Sequence, residues 1–268
     1  KYGPGMMYQK MADLIDEKQG FSVKMNSSVE SLVYRDNKWV ASIRGKDRKY
    51  EKIYDEVIST MPITELIKNL NFPVPDKIKK IAEGLQYRDF IIVCLVFAQP
   101  NRLDDTWIYI HEKSVKLGRL QVLNNWSPYM LKERKRSSYG AEYFCNKGDK
   151  TWQTKDNELI QFAVDEMKQV GLIPKNYRNL QGKVIRVEKA YPVYDQFYAD
   201  NMKDLISFFQ TIPNIQAAGR CGMFKYNNMD HSIYTGLLAA RNIITGKNKY
   251  NLWKINQDEK YHEEKKLS

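Results

Sequence analysis

Residues 214–245 constrain this chain more than any other stretch. Residues 214–218 read as a short strand that stops at Gly219. Gly219-Arg220-Cys221-Gly222 reads as a turn, because its glycines allow dihedral angles and close backbone approach that side chains forbid. Residues 229–245 follow as a helix, with Ile233, Leu237, Ala240 and Ile244 along one stripe and Gly246 just past the end. Such a strand–turn–helix unit belongs to folds that combine sheets with helices. Arg220 offers a planar fork of donors suited to phosphate oxygens. The helix start at Met229 exposes unpaired N–H groups carrying partial positive charge. Asp230 stands where it can cap that helix. Taken alone, the segment is equally an ordinary structural corner with a capped start.

The rest of the chain reads as α+β. Residues 6–17 have helical spacing, with Met7, Met11, Leu14 and Ile15 on one face, and Gly20 ends them. Alternation predicts strands over 21–25, 29–34 and 38–44, the last two joined by a turn at Asp36-Asn37. A short strand over 55–60 is stopped by Met61-Pro62. Helices are expected over 64–70, 76–84, 156–170 and 202–210. Strands over 87–98, 106–111, 119–125, 138–146 and 183–189 predict a largely antiparallel sheet. In 156–170, Leu159, Ile160, Ala163, Met167 and Val170 point inward. From Asn256 onward the chain is a charged, loosely packed tail.

Composition narrows the function classes. An aromatic share of 12% argues against disorder. The net charge of +11 favours phosphate-bearing ligands or simply a Lys-rich solvated surface. The densest basic run, 132–136, is broken by Glu133, so no nucleic-acid arm is expected. Cys94, Cys145 and Cys221 lie far apart, without zinc-ligand spacing, and a reducing compartment follows. Cys94 and Cys145 are expected as core thiols. The longest apolar run, 90–98, falls short of the roughly 20 residues of a membrane helix. With no signal segment, a cytoplasmic location is expected. His111, His231 and His262 have no evident partners, and no metal site is expected. GxGxxG, P-loop, HExxH and GxSxG motifs are absent.

The segment AGRCGMFKYNNMDHSIYTGLLAARNI resembles the C-terminal flavin motif of the superfamily of amine oxidases, phytoene desaturases, protoporphyrinogen oxidases and UDP-galactopyranose mutases. It is most similar to the mutase-like branch, where GR is followed by G, an aromatic and an Asn/Asp-Met pair. GPGMMYQKMADLI followed by GFSVKMNSSVESL resembles the helix and strand leading to the adenine side of FAD. YDEVISTMPITEL resembles the strand crossing to a substrate domain, and KAYPVYDQFY the returning segment. The resemblance implies an FAD-dependent oxidoreductase or mutase. Its cofactor residues would be Val29, whose backbone meets adenine, with Thr60, Gly219, Arg220, Gly222, Asn228, Met229 and Asp230. The helix start at Met229 would hold the negative charge of a reduced flavin, and Asp230 could bond a ribityl hydroxyl.

The resemblance also implies the organisation: FAD-domain segments over 1–62 and 190–247, built from the C-terminal pieces of a Rossmann-like domain, a substrate domain over 63–189, and a tail over 248–268. The substrate would be a nucleotide-sugar or related metabolite, in polysaccharide synthesis. Trp107, Trp126, Tyr129, Tyr191, Tyr194 and Tyr226 would line its pocket, with Arg88 and Arg119 on a diphosphate. For each aromatic the plainer reading is core or surface stiffening. Because the superfamily's N-terminal GxGxxG segment is not in this sequence, the chain reads as part of a longer protein. Alone it is expected to bind FAD weakly or not at all and to be inactive. The alternatives are a flavin amine oxidase or desaturase, and a binding module that keeps the fold without catalysis.

Overall fold

A computed structural model describes residues 1–133, 135–246 and 248–256. Along the chain run α1 (Gly5–Asp16), β1 (Ser28–Arg35), β2 (Lys38–Arg44), β3 (Lys49–Tyr54), β4 (Val57–Ser59), α2 (Ile63–Asn69), β5 (Leu70–Asn71) and α3 (Asp76–Gly84). Then come β6 (Tyr87–Phe97), β7 (Trp107–Tyr109), β8 (Arg119–Val122), α4 (Leu123–Trp126), β9 (Ser137–Cys145), α5 (Lys150–Gln153), α6 (Asp156–Gln169) and β10 (Asn179–Pro192). The last are α7 (Tyr198–Phe209), β11 (Ile215–Ala217), α8 (Gly219–Gly222), α9 (Met229–Thr245) and a 3₁₀ turn, Leu252–Lys254. The chain is α+β, in two compact units. No helix among the described residues is long and apolar enough to cross a membrane.

One unit combines Met25–Tyr87 with the described residues from Tyr191 on. Helices α2 and α3, expected in the substrate domain, group here. Its larger sheet has the order β3-β2-β1-β5. The β1–β2 hairpin turns at Asp36 and Asn37, both with positive φ, the geometry of the turn that suits strand twist. A register shift between Val29 and Ser31 bends β1. Trp39 is wholly buried, and its indole N–H donates to Pro213 O at 3.0 Å. β4 and β11 form a separate parallel pair, with Ala217 opposite Ser59.

The buried residues of α9 are Thr235, Leu238, Ala239 and Asn242. This corrects the expected stripe: Leu237 and Ile244 are exposed. The buried face carries polar groups because each is satisfied. Thr235 Oγ1 accepts from Gly219 N–H at 2.9 Å, and Asn242 bonds Gln216 and the backbone of Tyr250. After α9, Leu252 is buried in the same core. Residues 257–268 of the expected tail lie outside the described residues.

The other unit combines Lys1–Lys24 with Arg88–Ala190. Its sheet has the order β10-β6-β9-β8-β7, with β6·β9, β8·β9 and β7·β8 antiparallel. Alternation along β6 buries Ile91, Val93, Leu95 and Phe97, which meet Leu159, Ala163 and Met167 of α6 in one core. Glu166 is buried there, its carboxylate accepting the N–H groups of Lys116 and Leu117 at 2.6 and 3.0 Å. The strand expected over 119–125 ends at Val122 and passes into α4. The strand expected over 21–25 is irregular: Val23 N–H donates to Asp16 Oδ1 at 2.7 Å, and Phe21 and Met25 are exposed. Helix α1 forms as expected, but none of its residues is buried.

Candidate functional site

The site is built where β4 and β11 end side by side. Parallel strands leave the loops after their C-terminal ends free to receive a ligand. Ala218 N–H donates to Ser59 O at 3.0 Å, so the second strand runs on beside the first into the glycine turn. Gly219 takes φ +77°, a left-handed value that favours glycine. Gly222 is pressed on the end of β4. A Cβ there would lie 2.7 Å from Ser59 O and 3.1 Å from Thr60 Cα.

A cleft of about 380 Å³ opens at this strand end, lined by Val29, Leu32, Ile43, Ile58, Ser59 and Thr60 among others. Val29 and Thr60, chosen from sequence as cofactor residues, therefore share one cleft. Its wall is apolar except for a few groups. Ser59 is buried, and its hydroxyl has no hydrogen-bond partner among the described residues. Glu56 also lines the cleft. Burial, with Asp55 adding, raises its carboxyl above the ordinary 4.5.

Arg220 does not present an open fork. Its guanidinium lies 4.7 Å from the ring centre of Tyr191 and 4.2 Å from that of Tyr226, and Nη1 donates to Asn227 O at 3.2 Å. The two rings stack at 5.6 Å and 22°. Tyr194 accepts the N–H of Tyr226 at 2.6 Å and stacks on Tyr198 at 4.0 Å. Tyr191, Tyr194 and Tyr226 thus gather around Arg220 and brace the loop that leads to α9. Phe224 in that loop is fully buried with φ +46°, an uncommon conformation for a bulky residue. Lys225 sends its ammonium to the carbonyls of Trp253 and Ile255, and burial lowers its pKa below 10.5.

Asp230 is not the cap of α9. Asn228 takes that role, its side chain accepting the N–H of His231, while His231 Nδ1 accepts the N–H of Asn228 at 3.3 Å. His231 therefore has a partner and serves the helix start. Met229 and Asp230 remain exposed beside it.

The remaining sequence candidates lie in the other unit. Trp107, Arg119 and Trp126 come together on its sheet. Arg119, expected on a diphosphate, is paired with Glu142. Arg88 donates to Asn146 Oδ1 and Phe144 O, both at 3.2 Å. Tyr129 stacks edge-on against Tyr2 at 6.3 Å, with the Lys1 ammonium 4.7 Å from its ring. Sequence reasoning missed Ser59, Lys225, Asn227, Gln121 and Glu142. Ser59 was within reach, as the residue before Thr60 in a strand that ends at a turn.

No protein-family model matches the sequence, and no curated protein does. The structure is similar to that of a reduced UDP-galactopyranose mutase, with a TM-score of 0.79 and 18% identity over 95% of this chain and 54% of the mutase. A putative protoporphyrinogen oxidase from Exiguobacterium sp. 255-15 is similar over 73% of this chain and 42% of the oxidase, with a TM-score of 0.57 and 14% identity. The chain therefore has the fold found in about half the length of a UDP-galactopyranose mutase.

Proposed function

We propose that the chain is part of an FAD-dependent oxidoreductase of the UDP-galactopyranose-mutase-like kind, acting on a nucleotide-sugar or related polar metabolite in polysaccharide synthesis. The observation that carries this reading is the shared cleft of Val29, Ser59 and Thr60 at the ends of two parallel strands, with Gly219 and Gly222 packed on its rim. The residues fit the cofactor. The apolar walls suit a flat ring, and the buried hydroxyl of Ser59 has no partner among the described residues, one that a ligand's polar atom would supply. Among the described residues beyond its chain neighbours, Gly219 has Thr60 Cγ2 alone within 4 Å on its Cβ side, at 3.9 Å, so backbone can approach a ligand there.

When bound, FAD supplies the electron-accepting and electron-donating ring. This chain's residues would position it. Val29 offers backbone at a bulge, Thr60 and Ser59 offer hydroxyls, and the exposed start of α9 at Met229 offers partial positive charge. Arg220, Tyr191, Tyr194 and Tyr226 hold the loop that aims that helix start. The grip on the pyrophosphate would come from a further segment of the GxGxxG kind. A flavin oxidase or desaturase on the same fold is the second reading, and the likeness to a putative protoporphyrinogen oxidase favours it.

Titrating FAD with the chain and following flavin fluorescence tests the reading. Saturable binding is expected with a dissociation constant above about 10 µM, and Thr60→Arg, which fills the cleft mouth, should abolish it. Equal binding by Thr60→Arg overturns the site, while unchanged fluorescence throughout fits the need for a further segment. A tight, stoichiometric yellow complex overturns the need for a further segment.

A further inference from the structure

The flavin reading leaves the end of the described chain unused. Residues 250–256 run from the second half of α9 to the loop 223–228 that precedes that helix. Their near end is fixed. Tyr250 N–H donates to Asn242 Oδ1 and Asn242 Nδ2 donates to Tyr250 O, both at 2.9 Å. Asn251 Oδ1 accepts the N–H of Trp253 at 3.0 Å and so starts the 3₁₀ turn. Leu252 is buried in the core, and the ring of Trp253 lies 6.2 Å from that of Phe209 in α7.

Their far end grips the loop from both sides. Lys225 reaches out of the loop and donates to Trp253 O at 3.2 Å and to Ile255 O. Asn256 reaches back, and its Nδ2 donates to Tyr226 O at 3.0 Å and to Asn227 Oδ1 at 3.2 Å. These bonds join two segments that share no helix or sheet.

The loop needs such a brace. Phe224 is fully buried with φ +46°, a conformation that a bulky residue keeps only where its surroundings hold it. Asn227 is 2% exposed, and a buried amide is costly unless its groups are bonded. Lys225 is half-buried, and among the described residues no carboxylate pairs with it. The two carbonyls of residues 253 and 255 are what its ammonium finds. The grip then passes inward. Asn227 N–H donates to Lys225 O at 2.7 Å, Lys225 N–H to Arg220 O at 3.0 Å, and Arg220 Nη1 to Asn227 O at 3.2 Å. Asn228, the cap of α9, is the next residue along.

We propose that residues 250–256 are a strap that sets the conformation of the loop 223–228, and with it the start of α9, and that Lys225 and Asn256 are the positioning residues through which it acts. The strap does not rest on the flavin reading, although the use of that helix start for a cofactor does.

Hydrogen exchange of the whole chain, read amide by amide by NMR without flavin, tests the strap. The reporters are the amides of Lys225, Tyr226, Asn227 and Asn228, which donate to Arg220 O, the Tyr194 hydroxyl, Lys225 O and His231 Nδ1. They should exchange at least about tenfold faster in Lys225→Met, which keeps the apolar stem and removes the charge, and in Asn256→Ala. Lys225→Arg keeps donors for both carbonyls and should restore slow exchange. The amides of β2, bonded to β1 and β3 and not to the loop, should keep their protection in every variant. Unchanged far-UV circular dichroism confirms that each variant folds. The proposal is overturned if the reporters keep their original rates in either Lys225→Met or Asn256→Ala, or if Lys225→Arg exchanges as fast as Lys225→Met. It is equally overturned if β2 loses protection by the same factor, since the substitutions would then weaken the whole unit. A failed flavin titration would leave the strap standing, and a failed exchange test would leave the flavin reading standing.

Discussion

Gly222 sits where the backbone of the site has least room. A methyl group there would meet Ser59 O at 2.7 Å, and the atom it meets is backbone that also bonds Ala218. Neither strand can yield without spoiling the parallel pair. Gly222→Ala should therefore cost about 2–3 kcal/mol of stability, read as a lower denaturant midpoint. Gly236→Ala is the control: among the described residues, nothing outside the backbone of its own helix and its chain neighbours lies within 4 Å of its Cβ position, in the middle of α9. It should stabilise by about 0.5–1 kcal/mol, and equal losses in the two variants would sink the argument.

Cys145 carries a second prediction. Burial above all raises its thiol from the ordinary 9.0 to about 11, with Asp149 and Asp89 adding. The folded form keeps its proton where the unfolded chain has begun to lose it. Stability from this group is full below pH 9.0, falls as pH rises, and is gone above about 11. Alkylation of Cys145 by iodoacetamide, followed by peptide mass spectrometry, should be slow at neutral pH and rise steeply only as pH nears that upper value. Fast labelling at neutral pH would contradict it. At this scale the turn glycines Gly219 and Gly222 were legible, because a glycine between strand and helix is a local fact, whereas Val29 and Thr60 came from the family resemblance. Lys225 and Asn227 were not legible. Their roles come from Trp253, Ile255 and Asn256, which only folding brings to them.

Among the elements, helix α1 is the exception to the packing rule. Its Met7, Met11, Leu14 and Ile15 recur at helical spacing, as the sequence shows, yet all are exposed. Isolated helices of this length are marginal in water, and packing normally holds them. Helix α6, by contrast, buries Leu159, Ala163, Val164, Glu166 and Met167. Hydrogen exchange should accordingly be about a hundredfold or more faster in α1 than in α6, and equal protection would show that α1 is covered in solution. The opposite error occurred at β3. Lys49, Glu51 and Ile53 are exposed on an edge strand, so Lys49–Tyr54 shows too little apolar alternation to announce itself. In α9 the spacing found the helix but placed its buried face beside the true one. Thr235 and Asn242 look like surface residues until Gly219 and Tyr250 arrive as their partners.

For the molecule as a whole, the sequence by itself determined the class of fold and the strand–glycine–helix corner, because periodicity, turn glycines and caps act over a few residues. The family resemblance, and not spacing, proposed Val29 and Thr60 as cofactor residues. Only the tertiary structure decided that these two line one cleft, that Ser59 is buried there with no hydrogen-bond partner for its hydroxyl among the described residues, and that Arg220 lies against the stacked rings of Tyr191 and Tyr226. It alone decided that Glu142 is buried beneath a corner of indoles. The physical reason is the same throughout. Burial, charge pairing and the filling of hydrogen bonds depend on which distant residues become neighbours, and local spacing carries no record of them.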